Sequence, residues 1–270
     1  MNRIETRFQL LRSRGEKALV GFLSAGDPSV SRSLEIIRAM CDAGLDILEL
    51  GVPFSDPTAD GPVIQRSSAR ALAGGVSLHT VLDMIAALRK DIEIPIIVFT
   101  YYNPVFVYGA RRFYEDAVRA GADGVLVVDL PPEESDEMTG QWPENALCLI
   151  RLIAPTTPED RIRQVAGSAS GFIYMVSKTG VTGSSGLDAG MVAERVNRVR
   201  SATSLPLCVG FGVSTPEDVA AIATVADGVV VGSAFERIIE ENIENRDLSK
   251  LMAETVRSLK AQTRTAQPAH

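Results

Sequence analysis

Eight short apolar runs, rich in valine, isoleucine and leucine, recur along the 270-residue chain and constrain its fold more than any other feature. The runs are predominantly apolar and do not alternate strictly with polar residues, which is typical of parallel strands buried on both faces. Segments between the runs carry apolar residues at helical spacing, such as Val81, Leu82, Ile85 and Leu88. The runs are ALVGFL from Ala18, DILEL from Asp46, PIIVFT from Pro95, GVLVVD from Gly124, ALCLIRLI from Ala146, GFIYMVS from Gly171, LPLCVGFG from Leu205 and DGVVVG from Asp227. Strands and helices are therefore predicted to alternate throughout.

This alternation, without a linker or a break in composition, predicts an α/β protein with a closed (β/α)₈ TIM barrel. We expect a single domain over residues 1–262 and a frayed polar tail over residues 263–270. Ile4, Phe8 and Leu11 form an amphipathic first segment, which predicts an extra helix that covers the amino-terminal end of the barrel. An open doubly wound sheet is the alternative, because alternation alone does not report closure.

The tetrapeptide Thr-Pro-Glu-Asp occurs twice, beginning at Thr157 and at Thr215. Each copy offers a threonine as N-cap, a proline for the first helical position and acids for the first turn. Both copies are therefore predicted to begin helices.

Composition and charge exclude several classes of function. The formal net charge is −7 and no basic run is present, which argues against a nucleic-acid partner. No apolar run reaches the roughly 18 residues that a membrane helix needs, and the amino terminus lacks the features of a secretory signal. Cys41, Cys148 and Cys208 are odd in number and lack metal-ligand spacing, as expected of reduced thiols. The sequence predicts a soluble cytoplasmic protein with no metal site and no membrane contact.

The loop after the second predicted strand carries the acids that best suit catalysis, because barrel active sites are built from loops after the strands. Glu49 lies within an apolar strand, where burial raises the pKa of a carboxyl group and suits a residue that takes and gives a proton. The alternative for Glu49 is a carboxylate neutralised by a structural arginine or lysine. Asp56 and Asp60 follow in a proline-braced loop, where aspartate often serves only as a turn former. Together with Glu49, they indicate a group of acids in which one transfers a proton and another orients a substrate N–H.

Glycine-rich segments follow the sixth, seventh and eighth predicted strands, around Gly183, Gly212 and Gly232. Backbone N–H groups at such turns, with a helix amino terminus behind them, are suited to holding phosphate. The segment around Gly183 is also typical of a lid, although a surface loop has the same composition. Phe22 and Tyr101, with Ile153, fall at other strand ends and predict an apolar pocket opposite the phosphate.

These residues together resemble the tryptophan synthase alpha subunit family. The resemblance runs from Phe22 to Gly232 and depends mainly on LELGVPFSDPTADGPVIQ, which begins at Leu48. The glycine segments support it, in order and at matching spacing. It implies a (β/α)₈ barrel that cleaves indole-3-glycerol phosphate to indole and glyceraldehyde 3-phosphate, a retro-aldol reaction. It also implies that indole passes to a β subunit for the synthesis of L-tryptophan.

The resemblance also implies roles for individual residues. Glu49 matches the general acid/base, Asp60 the carboxylate that accepts the indole N–H, and Tyr174 a tyrosine near the glycerol portion. The implied substrate-binding positions are Phe22, Tyr101 and Ile153 in the indole pocket, and Thr182, Gly183, Phe211, Gly212, Gly232 and Ser233 elsewhere in the site. The implied β-subunit interface comprises Pro53, Asp56, Pro57 and Asn103. No cofactor is implied in this chain, whereas pyridoxal phosphate is expected in the β partner of an α₂β₂ tetramer.

Three other functions stay open at this point. A non-catalytic binding subunit could use the same barrel to activate a partner if Glu49 were structural. Another phosphate-binding barrel, such as a sugar-phosphate isomerase, would explain the glycines but not the acidic, proline-rich loop. A self-sufficient lyase could release indole without any β partner.

Overall fold

Eight parallel strands close into a barrel in chain order in the computed structural model, which describes residues 2–142, 146–177, 189–210 and 212–264. Each strand overlaps one of the eight apolar runs, so the predicted closed barrel is confirmed. The strands are β1 (Ala18–Ser24), β2 (Ile47–Gly51), β3 (Ile96–Thr100), β4 (Gly124–Val127), β5 (Cys148–Ile153), β6 (Ile173–Val176), β7 (Leu207–Gly210) and β8 (Gly228–Val231). Pairing of β1 with β8 completes the ring.

Helices surround the barrel and connect successive strands. They are α1 (Arg3–Ser13), α2 (Val30–Asp42), α3 (Pro62–Ala73), α4 (Leu78–Leu88), α5 (Tyr102–Tyr108), α6 (Ala110–Ala120), α7 (Asp136–Thr139), α8 (Glu159–Gly167), α9 (Ala189–Arg200), α10 (Pro216–Ala223), α11 (Ser233–Glu241) and α12 (Leu248–Ala261). A short 3₁₀ turn, Pro132–Glu134, precedes α7. No single helix in the described ranges is long and apolar enough to cross a membrane. Helices α3 and α4 meet the length and composition only when taken together, and they are bent by 93° at the break between them.

Alternate strand residues divide the core into two layers. Residues such as Val20, Ile47 and Ile97 point into the barrel and pack with one another, whereas their chain neighbours pack outward against the helices. Helix α1 closes the amino-terminal end of the interior, where its residue Phe8 packs 6.0 Å from Phe172, between ring centroids. The predicted extra helix is thus confirmed, and its apolar face covers the amino-terminal end of the interior.

The chain beyond α12 packs against the start of β1, contrary to the predicted tail. Thr263 is fully buried and its carbonyl oxygen accepts a hydrogen bond from the Lys17 backbone N–H at 2.8 Å. Arg264 forms an isolated antiparallel bridge with Glu16. The packed part of the chain therefore extends past the predicted boundary at residue 262, and the rest of the predicted tail, residues 265–270, lies outside the described residues.

The two Thr-Pro-Glu-Asp copies begin helices in different ways. Thr215 caps α10 as predicted, in a reciprocal capping box with Asp218. The hydroxyl oxygen of Thr157 instead accepts a hydrogen bond from the Ala154 backbone N–H at 3.1 Å. Helix α8 therefore begins one residue later in its copy, at Glu159, without a side-chain cap.

Candidate active site

A cavity of about 800 Å³, including its open mouth, lies at the carboxyl ends of the strands. Its floor is the barrel interior, and its rim is formed by the loops after β2, β7 and β8. Seven of the residues predicted from sequence line it: Phe22, Glu49, Asp60, Tyr174, Gly212, Gly232 and Ser233. Residues that are far apart in sequence therefore meet at one site.

Glu49 is a fully buried carboxyl group on the cavity wall. It lies in β2 between Phe22 of β1 and Ile97 of β3, both of which offer only apolar side chains. Within the described part of the chain, neither carboxyl oxygen has a hydrogen-bond partner. Burial raises the pKa of Glu49 to about 8. No structural arginine or lysine neutralises it among these residues, so the group is available to exchange a proton with a ligand.

Asp60 approaches the cavity from the loop between β2 and α3. Burial raises the pKa of Asp60 to about 6, although a hydrogen bond with the Tyr101 hydroxyl partly opposes that shift. The Tyr101 oxygen also accepts a hydrogen bond from the Ala59 backbone N–H at 3.0 Å, and its ring packs on Phe54. Tyr101 therefore holds the loop that carries Asp60, and it is not among the described residues that line the cavity.

Tyr174 extends from β6 into the interior and reaches the opposite side of the cavity. Its pKa is raised well above the ordinary value, first by burial and then by the nearby Glu49 and Cys208. A Cβ atom on Gly210 would lie only 2.6 Å from the Tyr174 hydroxyl oxygen. Glycine in β7 thus leaves the space that the tyrosine occupies.

Two aromatic rings form an apolar wall next to Glu49. Phe22 and Phe99 meet edge to face, with 5.0 Å between ring centroids. A Cβ atom on Gly51 would lie 2.6 Å from the Phe22 ring, so this glycine permits the ring position. A flat aromatic ligand bound at this wall would lie beside the buried carboxyl group.

The opposite rim is built from the turns after β7 and β8. Gly212 has a left-handed backbone, with φ at 81°, which glycine adopts without strain. Gly232 precedes the first residue of α11, Ser233, and both line the cavity. Backbone N–H groups at a helix amino terminus attract anions. The other predicted positions of this rim, Thr182, Gly183 and Phe211, lie outside the described residues.

A family model described as tryptophan synthase alpha chain matches residues 8–265. The chain belongs to the tryptophan synthase alpha chain family. Two relatives of the same description are those from Desulfosudis oleivorans, 64% identical, and Desulfatibacillum aliphaticivorans, 61% identical; each alignment covers 98% of this chain and all of the relative. The family identified from sequence is therefore confirmed, and with it the classification of this chain as a lyase that cleaves indole-3-glycerol phosphate.

Solved structures agree with the sequence comparison. The tryptophan synthase alpha subunit from Legionella pneumophila superposes with a TM-score of 0.89 at 37% identity, covering 97% of this chain and 98% of that chain. A chain of Mycobacterium tuberculosis tryptophan synthase superposes with a TM-score of 0.90 at 34% identity, covering 98% and 99%. The barrel of this alpha chain is thus the barrel of its family.

Ile153 does not lie in the active-site cavity of this alpha chain, contrary to its predicted place in the indole pocket. It pairs with Met175 in the outward-facing register and lines a separate small cavity beneath helices α8 and α9. The neighbouring Leu152 has the inward parity and packs with the interior layer. The Ile153 side chain therefore lies on the outer face of β5, because successive side chains of a strand point to opposite faces.

The residues predicted to contact a β subunit lie together near the cavity mouth, with different exposures. Asp56 and Asn103 are exposed, Pro57 is half-buried and Pro53 is buried. Helix α5 adds an apolar surface next to Asn103, because Phe106 and Val107 are 65% and 75% exposed. Only part of the predicted interface is therefore accessible, and an exposed apolar face of α5 lies next to it.

Several lining residues were not predicted from the sequence. Phe99 and Val230 point inward near the ends of β3 and β8, and residues at the start of α3 complete the rim. Arg237 lines the cavity one helical turn after Ser233. A search at four-residue spacing from the predicted phosphate position would have found it, because residues i and i+4 share a helix face.

Proposed function

We propose that Glu49 and Asp60 carry the cleavage of indole-3-glycerol phosphate to indole and glyceraldehyde 3-phosphate in this cavity. The observation that supports this most strongly is Glu49: a buried, unpartnered carboxyl group beside an aromatic wall, with its pKa raised to about 8. Such a group is protonated near neutral pH and can act first as an acid and then as a base. Asp60, with its lower pKa of about 6, is ionised under the same conditions.

The reaction needs one proton to move from a hydroxyl group to carbon. Glu49 first donates its proton to C3 of the indole, and Asp60 stabilises the resulting cationic ring by accepting a hydrogen bond from the ring N–H. The Glu49 carboxylate then takes the proton of the hydroxyl on the carbon attached to C3. The bond between that carbon and C3 breaks, its electron pair returns to the ring, and the carbon becomes the aldehyde. Glu49 ends protonated, as it began.

The rest of the cavity favours this sequence of steps. The apolar wall of Phe22 and Phe99 excludes water, which keeps Glu49 protonated until the substrate binds. Backbone N–H groups at Gly212, Gly232 and Ser233 are suited to the phosphate, so that one ligand spans the rim and the carboxyl group. Fixing both ends of the substrate orients C3 toward Glu49.

Release of indole from indole-3-glycerol phosphate by the purified chain tests the assignment. Glu49→Gln keeps the shape of the side chain but cannot exchange the proton, so kcat is expected to fall about 10²- to 10⁴-fold. Glu93→Gln is the matched control, because its side chain is 85% exposed at the other end of the barrel. Substantial indole release by Glu49→Gln would contradict the catalytic role and favour a non-catalytic binding subunit.

An alpha chain of tryptophan synthase implies a β chain as its partner, and we infer an α₂β₂ tetramer in which only β holds pyridoxal phosphate. The accessible interface is Asp56, Pro57, Asn103 and the exposed face of α5. The three cysteines are free, in keeping with the cytoplasmic location predicted from sequence.

Titration with a tryptophan synthase β subunit tests this assembly. Turnover of indole-3-glycerol phosphate is expected to rise sharply, and sedimentation is expected to give two copies of each chain. Phe106→Ser is expected to weaken this activation without changing the activity of the isolated chain, because Phe106 lies outside the cavity. Unchanged turnover with every β subunit tried would favour a self-sufficient lyase.

A further inference from the structure

Helix α11 brings a positive charge to the cavity in addition to its amino-terminal N–H groups. Ser233 and Arg237 are one turn apart on this helix, and both line the cavity. Among the described lining residues, Arg237 is the one cationic side chain, whereas Glu49 and Asp60 contribute two carboxyl groups. A phosphate dianion at this rim therefore meets one cationic side chain.

The carboxylates nearest to Arg237 along α11 are committed elsewhere. Glu240, three residues on, accepts hydrogen bonds from Arg66 at 2.6 and 2.8 Å and from Arg70 at 3.0 Å. Glu236 is fully buried and accepts a hydrogen bond from the Ser24 backbone N–H at 2.6 Å. No ion pair to Arg237 occurs within the ranges that the structure describes. The guanidinium group is thus available to a ligand.

Glu236 is buried next to a second carboxyl group, that of Asp27. Its pKa is raised well above the ordinary value, first by burial and then by Asp27, whose carboxylate faces it and is held by Arg70. A protonated Glu236 can donate its hydrogen to Asp27, which gives a partner to an oxygen that otherwise has none. Among the described residues, neither Glu236 nor Glu240 pairs with Arg237, and no ion pair joins Arg237 to Glu241, four residues further along α11.

We propose that Arg237 is a phosphate-recognition residue, whose guanidinium group pairs with the substrate phosphate and sets the preference for phosphorylated over unphosphorylated substrate. This inference rests on the proposed function, because it concerns the same cavity. Arginine is suited to the task, since its planar N–H groups match phosphate oxygens and it stays charged at all relevant pH values. The backbone N–H groups orient the phosphate, and Arg237 balances its charge.

Steady-state kinetics of Arg237→Gln and Arg237→Lys test the proposal. For indole-3-glycerol phosphate, Arg237→Gln is expected to raise KM about tenfold or more and to leave kcat within about threefold, because it removes a charge-assisted hydrogen bond far from the reacting carbon. For unphosphorylated indole-3-glycerol, kcat/KM is expected to stay unchanged. Arg237→Lys keeps the charge, so its KM for indole-3-glycerol phosphate should lie between the values of the wild type and of Arg237→Gln. Arg246→Gln is the matched control, because it removes one exposed positive charge just after the same helix.

Binding of inorganic phosphate separates this inference from the proposed function. Wild-type protein is expected to bind it about tenfold more tightly than Arg237→Gln, while both bind indole equally. A KM and a phosphate affinity that Arg237→Gln leaves unchanged would overturn the role of Arg237, even if the wild type cleaves the substrate. Failure of the wild type to cleave it would instead contradict the proposed function, and phosphate binding would still decide the role of Arg237.

Discussion

Glu49 on the cavity wall and three aspartates at the amino-terminal end of the barrel are held in opposite ways. At the amino-terminal end, three aspartates share one arrangement: each lies just before a strand, accepts a backbone N–H from the preceding strand and pairs with a basic side chain. They are Asp46 with Leu19 and Lys260, Asp123 with Ile96 and Arg89, and Asp227 with Leu207 and Arg200. At the other end, Glu49 has neither kind of partner. Glu49 thus lacks both kinds of partner that hold the three aspartates in place.

The contrast is clearest between Asp46, just before β2, and Glu49, within β2. Burial raises the pKa of Asp46, but Lys260 at 2.7 Å and the Leu19 N–H oppose the shift. Glu49, three residues later, experiences burial alone. Burial is therefore common to both, and partners oppose its effect on the pKa at Asp46 but not at Glu49.

The largest expected effect is on stability, at the amino-terminal end. Asp123→Ala leaves Arg89 buried without its anion and the Ile96 N–H without its acceptor, so the free energy of unfolding should fall by about 3–5 kcal/mol. Urea unfolding would measure the loss. The kcat of the folded fraction should not change, because Asp123 is a barrel length away from the cavity.

The control for Asp123→Ala is Asp91→Ala. Asp91 pairs with Arg38 at 3.2 Å on the surface, and both side chains are exposed. Removing such a pair should cost less than about 1 kcal/mol. Equal losses in the two variants would mean that the amino-terminal arrangement contributes no more than a surface ion pair.

Glu49→Gln is expected to change stability in the opposite direction. The folded pKa is about 8 and the ordinary value is 4.5, so between these values folded wild type keeps a proton that the unfolded chain has lost. The free energy of unfolding of the wild type therefore falls as pH rises through this window, whereas that of Glu49→Gln does not, because an amide does not ionise. At neutral pH the variant should be more stable by about 3 kcal/mol, and near pH 4 by almost nothing. An advantage that urea unfolding finds independent of pH would contradict the raised pKa.

The barrel and Glu49 could be predicted because both produce local signals in the sequence. Continuous apolar runs persist whatever their partners, and a carboxyl group within such a run conflicts with its surroundings in a way that one sequence reveals. Asp60 was recognised less directly, since aspartate in a proline-braced loop has a structural explanation as well. The functional interpretation of Asp60 depended on Glu49, which lines the same cavity.

The error at Ile153 arises from the same apolar runs that predicted the barrel. A strand that is apolar on both faces carries no alternation, so the sequence does not reveal which residues point inward. In β5, Arg151 even occupies an outward position in the buried layer, where its guanidinium donates to the Leu130 carbonyl oxygen at 2.8 Å. Only the pairing of β5 with β6 settles that Leu152, and not Ile153, faces the interior.

The pH dependence of kcat/KM tests both acids of the cavity at once. Asp60 must be ionised, so activity should fall as pH drops through its pKa of about 6. Glu49 must begin protonated, so activity should fall as pH rises through its pKa of about 8. Each limb should approach a tenfold change per pH unit. A profile that is flat up to pH 9 would mean that Glu49 does not begin the reaction as an acid.

Tyr101→Phe should give the smallest effect, and it measures how much one hydrogen-bond partner changes the pKa of Asp60. The Tyr101 hydroxyl lowers the pKa of Asp60, so its loss should move the acidic limb upward by less than about one pH unit and leave the basic limb in place. Tyr102→Phe is the control, because its hydroxyl bonds to Glu137 on the surface at 3.4 Å. If both variants keep the wild-type acidic limb, burial alone tunes Asp60, and the catalytic end of the barrel differs from the amino-terminal end even more completely than the contacts of Tyr101 indicate.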